Sequence, residues 1–116
     1  MSDIKPSPIA EVLLEVLDER VRQNAKWGEQ NHPDGTGPDV VWAFTGPANW
    51  VAQCAKLDTD GAADAGFVTW RHIALEEVAE AFAEENEASL RAELIQLAAV
   101  CVQWVQAIDR RKQADQ

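Results

Sequence analysis

The chain has 116 residues, enough for one domain with a real core, and its two cysteines are too few for a disulfide framework. Its formal net charge of −10 argues against bulk electrostatic attraction to duplex nucleic acid. No apolar run reaches the about 18 residues of a membrane span, and charges interrupt the N-terminus where a signal peptide needs an apolar stretch, so a soluble, cytoplasmic protein with no membrane partner is expected.

Ser7-Pro8 opens the first predicted helix, with serine as cap and proline at the first helical position. Ile9, Val12, Leu13, Val16 and Leu17 recur at helical spacing, and Glu11, Glu15, Asp18 and Glu19 take the other side. The helix is expected to run to about Lys26. The segment WGEQNHPDGTGPD, Trp27 to Asp39, reads as a loop from its prolines, glycines and Asp-Gly pair. A second helix starts near Gly46-Pro47 and carries Trp50, Val51 and Cys54 on one face. Asp58 to Gly66, DTDGAADAG, reads as a second loop. A third helix begins at Thr69, a plausible cap, and ends near Glu85. A turn from Asn86 to Ser89 leads to a fourth, from Leu90 to about Arg110, and residues 111–116 form a polar, flexible tail. No segment reads as a strand, so the fold class is all-α with a four-helix core. Cys54 and Cys101 lie in apolar surroundings and are expected as reduced core residues.

The fourth helix carries no charge from Leu94 to Ile108. A helix on the surface of a small bundle should show a charged stripe, so this one needs cover on several sides. Either it is the central helix of a monomer, or a second subunit supplies part of the cover in a homodimer or homotetramer.

On a helical wheel Glu76, Glu77, Glu80 and Glu84 fall within one arc of about 100°, with Leu75, Val78 and Phe82 roughly opposite. A solvated acidic face accounts for that pattern by itself. Trp70 and Ile73 precede the arc on much the same side, which a purely wet face does not explain. In the fourth helix Glu93 falls between Val100 and Trp104, at the edge of the stripe formed by Leu90, Leu94, Leu97 and Cys101. A carboxylate there is at least partly buried and needs a positive partner. Arg71, Arg91 or Lys56 is one class of partner, and a metal ion shared with Glu77 and Glu80 is the other. Gln96, one turn on, offers a further oxygen. If the two helices are antiparallel, Glu80 and Glu93 sit at similar heights from the turn, at about 1.5 Å of rise per residue.

Glu77-x-x-Glu80, a twelve-residue gap and Glu93-x-x-Gln96 resemble the ExxE…ExxD signature of the MazG-like all-α nucleoside triphosphate pyrophosphohydrolases, and Glu76 completes the commoner form EExxE. The lead-in ERVRQNAKWGEQNHPDGTG, Glu19 to Gly37, is similar to the region that precedes those motifs in phage and bacterial MazG-like proteins. The resemblance spans about Asp18 to Arg110. It implies an oligomeric helical bundle of the all-α NTP pyrophosphatase type, with Mg²⁺ (or Mn²⁺) at the acidic helices and hydrolysis of a nucleotide to monophosphate and pyrophosphate. By the same similarity Glu77, Glu80 and Glu93 match metal ligands, and Glu76 matches a glutamate that assists with metal or water. Gln96 stands where the family has aspartate. A neutral amide is a weaker Mg²⁺ ligand than a carboxylate, so a weakened or inactive nucleotide-binding or protein-interaction module is the alternative reading.

The residue types suit that chemistry. Carboxylates hold Mg²⁺ against phosphate oxygens, and a carboxylate free of metal, such as Glu76, can take a proton from the attacking water. Arg22, Lys26 and Arg71 are candidates to meet the outer phosphates, or are surface charges. Trp27 either stacks on a base or packs its loop onto the bundle. His32 either contacts ligand or hydrogen-bonds the turn. His32 and His72 form no zinc-ligand spacing with the cysteines.

Overall fold

A computed structural model describes Ile4, residues 6–41 and residues 44–114. Four helices follow in chain order: α1 (Pro8–Trp27), α2 (Ala48–Ala65), α3 (Trp70–Ala83) and α4 (Glu87–Ala114). There is no strand among the described residues.

Local chemistry sets most of the ends. Ser7 Oγ accepts from the Ala10 amide at 3.1 Å and Pro8 follows as the first helical residue, so α1 starts where the sequence predicts. Thr69 caps α3: its hydroxyl accepts from the His72 amide, and His72 Nδ1 accepts from the Thr69 amide at 3.0 Å. Asn86 caps α4 by accepting from the Ser89 amide at 3.1 Å. That cap starts α4 at Glu87, one turn before the predicted Leu90. Its far end passes Arg110 and reaches Ala114, so the segment read as a tail from residue 111 is helical that far, and residues 115–116 lie outside the described ones.

The predicted loop Asp58–Gly66 is a correction. α2 continues through it to Ala65 and stops at Gly66, whose φ of +83° gives the left-handed turn. Tertiary packing overrides the weak helix propensity of its Asp and Gly residues. Thr59 and Ala62 are buried, and the Thr59 hydroxyl donates to the His72 carbonyl of α3 at 3.1 Å.

The helices join in series: α2 packs on α3, α3 on α4, and α4 on α1. No Cα of α1 comes within 8 Å of α2 or α3. The radius of gyration is 16.3 Å, against about 13 Å for a closed domain of this length. The arrangement is an open four-helix array around an α3–α4 spine.

The segment between α1 and α2 is tied to that spine. Pro33 and Asp34 offer carbonyls to the Trp70 and Arg71 amides, which are free donors of the first turn of α3. The Asp34 carboxylate accepts from Trp104 Nε1 and from Arg111, each at 2.8 Å. Trp70 is fully buried and stacks on Trp104, with centroids 6.3 Å apart. Gly35 is required here: its φ is +73°, and a Cβ would sit 2.5 Å from the Thr69 hydroxyl.

Two expectations about burial are corrected. α1 buries Val16 of its predicted apolar side together with Arg20, and leaves Ile9, Val12, Leu13 and Leu17 of that side exposed. Cys101 is exposed and Cys54 half-buried, and both are free thiols, so Cys101 is not a core residue of this chain.

Candidate metal centre

α3 lies between α2 and α4. Ala79 and Ala81 are buried in that packing, and small side chains there let the neighbouring helices close on α3. Glu76, Glu77 and Glu80 occupy the strip of α3 left half-buried between those neighbours, and Glu93 reaches it from α4. One oxygen each from Glu77, Glu80 and Glu93 lies within 4.8 Å of the others. Oε2 of Glu77 and Oε2 of Glu93 are buried without any hydrogen-bond partner. None of the three makes an ion pair among the described residues.

Like charges at this spacing without counter-charge are unfavourable, and proton affinity rises in response. Burial pushes Glu77 up to about 7, with Glu80, Glu93, Glu76 and Glu19 adding to it. Burial likewise pushes Glu76 up to about 7; Glu80 and Asp60 reinforce the shift and Lys56 opposes it. Glu93 is raised by burial first, then by Glu80 and Glu84. The charge-neutralising partners weighed from sequence are engaged elsewhere. Arg91 pairs with Glu15, Arg71 donates to the Gly35 carbonyl at 2.7 Å, and Lys56 pairs with Asp60 at 3.3 Å.

The donor set fits a hard divalent cation. It consists of carboxylate oxygens with no histidine or thiol, and two of those oxygens lack any donor. Gln96 lies one turn beyond Glu93 and is half-buried, and its backbone carbonyl accepts from Gln23 of α1 at 3.4 Å.

The other predicted site residues separate into two groups. Arg22 is beside the centre through Glu19, which it contacts at 2.9 Å. Lys26 lies 4.7 Å above the exposed ring of Trp27 at the end of α1. His32 and Arg71 are not at the carboxylates. His32 packs edge-on against Trp70 at 5.0 Å, and burial lowers its pKa, so it belongs to the loop's packing. Arg71 lines an apolar cleft of about 430 Å³ with Leu75, Val78 and Trp104. That cleft does not include the glutamates. Leu75 and Val78 face away from them on the α3 wheel, so cleft and carboxylates do not coincide.

Glu19 is the residue the sequence reading missed. Its place opposite the apolar side of α1 predicts a solvated carboxylate, yet its side chain is 18% exposed and its charge acts on Glu77. Gln23 donates to the Glu19 carboxylate at 3.3 Å while also reaching Gln96, so one amide ties α1 to α4 beside the centre. The signal available was Glu19 and Gln23 at i, i+4, a polar pair on the flank of an apolar helix. Comparison with protein-family models, curated proteins and solved structures gives no significant match to this chain.

Proposed function

We propose that the chain is a divalent-cation-dependent nucleotide pyrophosphohydrolase, cleaving a nucleoside triphosphate to monophosphate and pyrophosphate. One observation carries this reading: three carboxylates from two helices converge, and two of their buried oxygens have no donor. Such an arrangement is stable only with protons or a cation to offset it. Glu77, Glu80 and Glu93 would hold Mg²⁺ or Mn²⁺, with Gln96 as a further oxygen. The bound ion supplies charge neutralisation on the phosphates and orientation of the attacking water.

Glu76 stands outside the tight trio, so it is the carboxylate left free of the ion to accept a proton from water. Water attacks the α-phosphorus, and the bond from that phosphorus to the α–β bridging oxygen breaks. The pyrophosphate departs with the electron pair and the bridging oxygen. Glu76 receives the proton from the water. Arg22 and Lys26 flank the α1 side, and the exposed Trp27 ring offers a base a stacking surface. The same reading includes a homodimer or homotetramer. The outward stripe Ile9, Leu13 and Leu17 of α1 and the exposed Leu94, Val102 and Val105 of α4 are apolar surface of the kind subunits bury.

Gln96 supports a second reading, a nucleotide-binding protein with little turnover, because an amide contributes no charge to the ion. Pyrophosphate release over the common ribo- and deoxyribonucleoside triphosphates, with and without Mg²⁺, separates the two. Mg²⁺-dependent nucleotide binding without release supports the second, and no Mg²⁺-dependent binding overturns both.

A further inference from the structure

We infer that the apolar cleft between the α3–α4 spine and the segment after α1 binds a small monocarboxylate with an aromatic or branched apolar body, the carboxylate on Arg71 and the body against Trp104, Leu75 and Val78. This site is separate from the carboxylate centre and does not depend on the pyrophosphohydrolase reading.

The cleft encloses about 430 Å³, the size of a small-molecule pocket. Helix α3 gives it Leu75 and Val78, α4 gives Trp104, and the segment after α1 gives Val40 and Val41. Its walls are held by contacts that involve no ligand. The Trp104 indole N–H donates to Asp34 at 2.8 Å, and its ring stacks on the fully buried Trp70. The Pro33 and Asp34 carbonyls accept from the first amides of α3, and the Val40 amide donates to the Gly37 carbonyl at 3.2 Å. An apolar site formed in advance loses little to ordering when a ligand enters.

Arg71 supplies the charge. Its Nε donates to the Gly35 carbonyl at 2.7 Å, which anchors the side chain along the cleft. Its terminal nitrogens make no hydrogen bond or ion pair among the described residues, whereas Arg22, Arg91, Arg110 and Arg111 each pair with a carboxylate. A guanidinium without a carboxylate, in a chain of net charge −10, leaves its fork free for an anion from outside. One guanidinium offsets one negative charge, which fits a monoanion and not a triphosphate. The only other uncommitted polar side chain of the lining is Thr36. A nucleobase and sugar would therefore bury polar groups without partners, while a hydrocarbon body packs on Trp104 without that cost.

Titration calorimetry in chelator, with phenylbutyrate and the neutral phenylbutanol as probes, tests the site. Wild type should bind the acid about tenfold or more tighter than the alcohol. Arg71→Gln should bring the acid down to the alcohol's affinity, and Arg71→Lys should keep part of the difference. Ala74→Leu places a larger side chain in the cleft lining and should weaken both probes. Circular dichroism melts keep lost folding apart from lost binding, and the comparison of acid with alcohol on wild type needs no variant. Amide NMR shifts caused by the acid should centre on residues 36–41 and on Arg71 to Val78. No binding of the acid at millimolar concentration, equal affinity for acid and alcohol, or shifts centred elsewhere overturns the proposal, whatever Mg²⁺ and nucleotides do. Dissociation of an oligomer by Ala74→Leu marks the cleft as a subunit contact and overturns it as well.

Discussion

Glu80 contributes to the carboxylate trio and raises the proton affinity of Glu76, Glu77 and Glu93 alike. Glu80→Gln should therefore abolish most Mg²⁺ affinity in calorimetry and lower turnover by about a hundredfold or more. The exposed Glu85, just past α3, is the matched control, and Glu85→Gln should alter neither. The pH dependence follows from Glu76 and Glu77, which move from the ordinary 4.5 to about 7 on folding. Between those values the folded chain keeps protons that the unfolded chain has lost. Stability without metal thus falls as pH rises through that window and stays low above it. Thermal melts in chelator should give a higher midpoint near about pH 5.5 than near about pH 8, and Mg²⁺ should raise the midpoint more at the higher pH. The trio was legible in the sequence because ExxE and a glutamate across a short turn fix register by helical rise alone. Glu19 was not, because its place depends on how α1 rotates against α4, and that rotation leaves most of the helix's apolar side outside.

Capping chemistry made the starts of α1 and α3 predictable, and the same chemistry gives element-scale tests. Thr69→Ala removes the hydroxyl that accepts from His72 and should destabilise the chain by about 1 kcal/mol in denaturant melts. Gly61 lies inside α2 with open space where a Cβ would go. Gly61→Ala should therefore stabilise by about 0.5–1 kcal/mol, which is the expected outcome only if Asp58–Gly66 is helical and not a loop. That segment was illegible locally: its composition is that of a turn, and what holds it helical is burial of Thr59 and Ala62 under α3. On α4, Gln96→Asp adds a carboxylate beside Glu93 and should tighten Mg²⁺ binding. It should also lower metal-free stability, since it adds one more charge to an already acidic centre.

At the scale of the whole molecule, the outward apolar stripe of α1 calls for a partner. Light scattering should find a dimer or tetramer, and Leu13→Glu with Leu17→Glu should dissociate it without unfolding the α3–α4 spine. No charge or motif count could have revealed the open array, because the number of seams depends on how the helices pack and not on composition. The array has a consequence for what a ligand does to the protein. Three seams in series leave α1 and α2 as two leaves, each attached along a single edge. An ion held between α3 and α4 tightens the middle seam and leaves the free edges of both leaves as they were. Amide exchange should then be faster in α1 and α2 than in the spine, and Mg²⁺ should slow it in α3 and α4 first.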